Sequence, residues 1–203
     1  MNTSMRSTSR TLWVAVRAVV LFTIVLGIAY TFVLTGIGQL LLPAQANGSL
    51  VHDQSGAAVG SSLIGQSFTD ADGAPIPKYF QSRPSANDYD GQASGGTNLG
   101  PENPKLVAAI QERKTMIAEL EGVPESKVPA DAVTASASGL DPDISPEYAA
   151  IQVSRVAEAR GITAEQVREL VDAHTAGRNL GYLGEPTVNV LELNLALDEL
   201  TEG

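Results

Sequence analysis

The chain has 203 residues and carries 23 Asp+Glu against 13 Lys+Arg, a formal net charge of −10. That balance repels polyanions and excludes nucleic-acid reading as a function. Cysteine is absent, which removes disulfides and thiolate zinc sites from consideration.

Residues 1–17 read as a short arm whose only charges are Arg6, Arg10 and Arg17. From Ala18 to Pro43 no residue is charged. As a helix that stretch would run about 39 Å against a hydrocarbon core of about 30 Å. Residues 18–43 are therefore predicted to cross a membrane once. The arm arginines place the N-terminus in the cytoplasm and the following residues outside. Without those three arginines the remainder has 10 basic and 23 acidic residues, a net −13. A cleaved signal peptide is the rival reading, since Ala44-Gln45-Ala46 forms a small-x-small site. The run exceeds the usual h-region of about 7–15 residues, which favours an uncleaved anchor. Within the span Thr23, Gly27, Thr31 and Thr35 recur every four residues, and Gln39 continues the series. In an α-helix this stripe drifts about 40° per step. Small and hydroxylated residues at this spacing suit docking on a partner helix.

Residues 44–60 read as a polar tether, and residues 61–203 as one exterior domain. Ser61–Phe68 and Lys78–Arg83 are predicted strands on either side of a turn-rich stretch. Ser85–Asn103 is long, glycine-containing and irregular, a length that points to function or disorder. Asn103-Pro104 starts a helix, with Leu106, Ile110, Ile117 and Leu120 on one face and Gly122 at its end. Ser145-Pro146 starts another, carrying Ala149, Val153, Val156 and Ala157 as far as Gly161. Thr163–Gln166 is a capping box opening a third helix to about Ala176. Gly177–Pro186 is a glycine-rich connection. The tail alternates like a strand at Leu191, Leu193, Leu195 and Leu197, yet Val190, Leu193, Leu197 and Leu200 fit a helix. Helix formers and a capping Asn189 favour the helix. The fold class is α+β, with a single N-terminal transmembrane helix before a mixed domain of helices and short strands.

Catalytic patterns are lacking. The two histidines are His52, in the tether, and His174, near a predicted helix end where it complements the dipole. No HExxH, GxSxG or SxxK motif occurs. The run SGGTNLGP (Ser94–Pro101) could cradle a phosphate but lacks the ending of a P-loop. Asp141-Pro142-Asp143 suits a turn before a helix better than a metal site. Arg83 stands alone amid polar sequence, where a paired or solvated arginine is the ordinary state.

The phrases LIGQSF (Leu63–Phe68), YFQSRPSA (Tyr79–Ala86), SGGTNLGPENP (Ser94–Pro104), VTASASGLDPDISP (Val133–Pro146) and LGEPTVNVLELNLALD (Leu183–Asp198) resemble the C subunit of the Kdp potassium-transporting P-type ATPase. The likeness covers nearly the whole chain. The family phrase around residue 136 usually reads Ser-Gly-Ser, whereas Ala137 replaces the glycine here. The resemblance implies an accessory, non-catalytic subunit of a high-affinity, ATP-driven potassium uptake complex in the cell membrane. Its implied partners are a pore-forming and an ATP-hydrolysing subunit, besides membrane lipid. It also implies a catalytic chaperone that raises the ATP affinity of the hydrolysing subunit, with ATP shared between the two and no cofactor bound by this chain alone. Candidate nucleotide or partner contacts are then Gln66, Arg83, Ser94, Gly95, Gly96 and Asn98, and Thr23, Gly27, Thr31 and Thr35 are the helix-docking residues. An exterior domain would not meet cytosolic ATP, which favours the assembly role and suggests a position over the potassium entrance. A membrane-anchored envelope hydrolase and a cell-wall binding module are the alternatives.

Overall fold

A computed structural model describes residues 3–202, with side chains described over 8–201; Met1, Asn2 and the Arg6 side chain lie outside the described residues. The chain divides into a unit ending at Ser49 and a unit beginning at Leu50.

The first unit is helical. α1 (Thr3–Phe22) passes through a π-helical segment (Thr23–Ala29) into α2 (Tyr30–Leu41), and a short α3 (Pro43–Ala46) follows. Thr8–Leu41 is a 34-residue helix with mean hydropathy 2.4, long and apolar enough to cross a membrane. It begins well before Ala18, because neither Gly nor Pro interrupts the sequence between Thr8 and Phe22. The expected arm is thus largely helical. Leu42 ends the helix at φ −134° and ψ 53°, since the residue before a proline is pushed out of the α region. In the π segment the Tyr30 N–H donates to the Val25 carbonyl, five residues back.

The second unit opens with a hairpin where a tether was expected. β1 (Leu50–His52) pairs antiparallel with β2 (Ala58–Ser61), with a bulge between Val51 and His52. Asp53 organises the turn, accepting from the Ser55 N–H and hydroxyl and from the Ala57 N–H. Those bonds hold its carboxyl below the usual carboxylate range.

Residues 62–103 contain no helix, and neither predicted strand forms beyond Ser61. The reason lies in two buried amides. Asn194 accepts from the Phe80 N–H at 2.8 Å and donates to the Phe80 carbonyl at 3.0 Å. Gln152 does the same for Gln81, at 2.7 and 3.2 Å. Side chains thus occupy the positions of a neighbouring strand, and Lys78–Arg83 needs no ladder.

The predicted helices form as α4 (Pro104–Glu121), α6 (Pro146–Arg160) and α7 (Ala164–Ala173), capped by Asn103, Ser145 and the Thr163–Gln166 box. A short α5 (Ala130–Val133) and β3 (Asp143–Ile144) lie between α4 and α6. α7 stops short of Ala176 because β4 (Thr175–Ala176) joins a sheet. His174 caps α7, its Nδ1 donating to the Leu170 carbonyl at 2.8 Å. β5 (Thr187–Asn189) is the central strand, flanked antiparallel by β3 and β4. The tail is helix α8 (Val190–Glu202), and Asn189 accepts from the Glu192 N–H as its cap.

The core gathers the apolar face of α6 with Val167 and Val171 of α7, Val190, Leu193 and Leu197 of α8, and Ile144 and Val188 of the sheet. Phe80 joins them from the irregular segment at 0% exposure. The irregular layer is therefore anchored in the core.

Candidate functional site

Two arginines of α6 fix the layer from below. Arg155 Nε donates to both oxygens of Glu121, at 3.1 and 3.0 Å. Its remaining nitrogens reach the Pro77 and Tyr79 carbonyls and Gln152 Oε1. The two side chains are 9% and 1% exposed. Burial raises the Glu121 carboxyl above its ordinary range, with Arg155 pulling it back. Arg160 bonds the Lys78 and Leu197 carbonyls, Thr201 and Asp198, and lies over the Tyr79 ring at 5.1 Å. Tyr79 in turn donates to Asp198.

The upper side of the layer meets the loop between α5 and β3. Arg83 Nη1 donates to Asp141 Oδ2 at 2.7 Å, and Nη2 to the Thr134 carbonyl at 3.3 Å. Tyr89 donates to the Arg83 carbonyl, and burial pushes its phenol up. Burial and the neighbouring Asp141 raise the Asp143 carboxyl as well. The Gly65 N–H bonds the Leu140 carbonyl, and a Cβ there would come within 2.6 Å of the Asp141 carbonyl. Gly139, at φ +69°, faces Asn87 so closely that a Cβ would lie 2.0 Å from Oδ1. Both glycines are demanded by close approach. A cleft of about 190 Å³ remains, lined among others by Gln66, Ser82, Arg83, Ser85 and Tyr89.

Only part of the predicted set converges. Gln66 and Arg83 share that cleft, whereas Ser94, Gly95, Gly96 and Asn98 do not line it. Several donors of the set are engaged within the chain, whereas Arg83 Nε is buried with no hydrogen-bond partner among the described residues. Gln66 Nε2 bonds the Val59 carbonyl; Ser94 Oγ and the Gly95 N–H both bond the Ser138 carbonyl; Asn98 Nδ2 bonds the Gly96 carbonyl. A Cβ at Gly96 would stand 3.0 Å from the Ala137 carbonyl. The Gly96 backbone thus packs closely on residue 137, and Ser94 and Gly95 on Ser138. In the other unit, Thr31 Oγ1 donates to the Gly27 carbonyl at 2.9 Å. Thr23 is the nearest group to a Cβ built on Gly27, at 3.8 Å.

Sequence reasoning missed Glu121, Gln152, Arg155, Arg160 and Asn194. A signal existed for two of them: Gln152 interrupts the apolar face of α6, and Asn194 that of α8. The ionic partners, 34 and more residues apart, leave no local pattern.

The family described as KdpC, "K+-transporting ATPase, c chain", matches residues 12–199. A Potassium-transporting ATPase KdpC subunit of Gemmatimonas aurantiaca is 54% identical over 181 residues, 88% of this chain and 87% of its own. That of Citrifermentans bemidjiense is 52% identical over 182 residues, covering 88% and 92%. That of Streptomyces coelicolor is 46% identical over 220 residues, covering 98% and 97%. Nothing in these likenesses supports an envelope hydrolase or a cell-wall module. With the match running through the apolar helix, the irregular layer and the three-stranded core alike, the chain belongs to the KdpC family, an accessory subunit of the Kdp potassium-transporting ATPase complex.

Proposed function

We propose that this chain is the non-catalytic, single-span subunit of the pump, holding its partners together rather than turning over ATP. A family member bearing a helix such as Thr8–Leu41 is membrane-associated. In the proposed orientation the N-terminus is cytoplasmic and residues 50–203 are outside, supported by Arg10 and Arg17 at the start of the apolar run. Protease added outside sealed cells is expected to cut residues 50–203 in the exposed, irregular stretch 91–100; full protection would reverse this topology.

One observation carries the docking role. A π turn advances each residue by about 80° instead of about 100°, so a four-residue step falls back by roughly 40° rather than gaining it. The π segment Thr23–Ala29 covers the start of the Thr23, Gly27, Thr31, Thr35 stripe. Its drift is offset there, and the four residues keep to one face. That face is small, and the Thr31 hydroxyl is satisfied within the helix. Close approach of a helix from the pore-forming subunit suits it.

The internal bonds of Gln66, Ser94, Gly95 and Asn98, with the Arg83 Nη1–Asp141 pair, support a role in shaping the layer for a partner subunit. The chaperone effect on ATP affinity then acts through the hydrolysing subunit's shape. Deleting the chain is expected to abolish growth in micromolar potassium while sparing growth in millimolar potassium. Gly27→Leu should reproduce that defect and lower co-purification with the pore-forming subunit about tenfold or more. Beyond the helix's own backbone, the nearest described atom to a Cβ on Gly27 is Thr23 Cγ2 at 3.8 Å, so the helix itself tolerates the change. Wild-type growth and yield would overturn the docking face.

A further inference from the structure

Residues 178–185 form a tight hairpin that neither the core nor the irregular layer uses. Asn179 and Leu183 exchange two N–H···O bonds of 2.9 Å, the Gly181 N–H donates to the Arg178 carbonyl, and the Tyr182 N–H to the Asn179 carbonyl. An ion pair between Arg178 and Glu185 closes the base. The tip thereby raises three large apolar side chains into solvent: Leu180 is 81% exposed, Tyr182 69% and Leu183 48%. Leu180 sits at φ +53°, a region a leucine enters against its own Cβ. The backbone accepts this strain and, in return, presents the leucine outward. A hairpin closed by four backbone bonds is a built feature, not a slack loop.

Charge selects what covers it. The only charges on the hairpin, Arg178 and Glu185, neutralise each other. The unit from Leu50 onward carries 10 basic and 23 acidic residues, which opposes approach to an anionic lipid surface and to a second copy alike. An apolar recess on a different protein meets neither objection. We infer that the Leu180–Tyr182–Leu183 tip inserts into an apolar pocket on the outward face of another subunit of the same pump. This rests on the accessory-subunit reading above. It adds a second attachment point, remote in sequence from the helix stripe, and Leu180 and Tyr182 are its anchors.

The test uses the assembled complex, purified through a tag on a partner subunit. Leu180→Asn keeps a residue that tolerates positive φ, and Tyr182→Ser removes the ring, so the double variant keeps the hairpin while stripping its apolar tip. Its dissociation from the complex is expected to be at least about tenfold faster than wild type. In parallel, hydrogen exchange on the wild-type chain should show amides 180–183 slowed in the complex and unslowed in the isolated full chain in nanodiscs of anionic or zwitterionic lipid. Protection in nanodiscs would assign the tip to lipid, and concentration-dependent protection without partners would assign it to a second copy; either result overturns the proposal. So would equal dissociation rates with a tip still exchanging freely in the complex. If wild type itself fails to co-purify, the accessory-subunit reading falls first, and free exchange of the tip in whatever assembly the chain does form removes this one too.

Discussion

Arg155→Leu is expected to destabilise the unit from Leu50 onward by about 3–5 kcal/mol, because it leaves Glu121 buried without its countercharge. The pair is dry: the Glu121 side chain is 1% exposed and both its oxygens accept from the same guanidinium nitrogen. The variant also strips a donor from the Pro77 and Tyr79 carbonyls. For a domain of this size the loss lowers the thermal midpoint by roughly 10 °C, read by circular dichroism on the full chain in detergent. The pH dependence has a definite sign. An unfolded glutamate ionises near 4.5, and with Arg155 gone burial alone acts on the folded one and raises it. Between those two values the folded state retains a proton that the unfolded state has released, so stability falls as pH rises. The variant's deficit should therefore shrink toward pH 5 and widen toward pH 8. A deficit below about 1 kcal/mol, flat with pH, would mean that the pair contributes nothing.

Asn194→Leu tests the amide clamp. Leucine fills nearly the same volume but leaves the Phe80 N–H and carbonyl without partners, in a residue of 0% exposure. Each orphaned group costs about 1–3 kcal/mol, so a loss of about 2–5 kcal/mol is expected. The Phe80 amide should exchange faster by a comparable factor. Unchanged exchange at Phe80, together with unchanged stability, would show that the segment holds its shape without the clamp. The consequence for function is direct, since Phe80 and Gln81 tie the irregular layer to the core.

Helices α4, α6 and α7 were legible because their start and stop signals are local: Asn103-Pro104, Ser145-Pro146 and the Thr163–Gln166 box each act within one turn. The tail was ambiguous because leucines alternate and recur at helical spacing at once. Packing settles it, for Val190, Leu193 and Leu197 face the core while Leu200 is 46% exposed. The strand expected at Lys78–Arg83 failed for a non-local reason. Its extended character was right, but the partner is a pair of side chains 71 and 114 residues away. The hairpin Leu50–Ser61 escaped notice because polar, glycine-bearing sequence reads as tether until Asp53 is seen to close its turn. As for the site, SGGTNLGP suggested a cradle by composition, which carries no trace of the Ser94 hydroxyl and Asn98 amide bonding the Ser138 and Gly96 carbonyls.

The π segment has a further corollary. A widened turn behaves as one surplus residue absorbed without breaking the rod, so the two halves of the helix are out of phase with an uninterrupted one by roughly 100°. Removing a single residue between Thr23 and Ala29 would let the turn close into an ordinary α turn, shortening the rod while leaving Trp13 and Arg17 at nearly the same azimuth relative to Thr35. A change that keeps the residue count but closes the widened turn would instead aim its two ends at different neighbours.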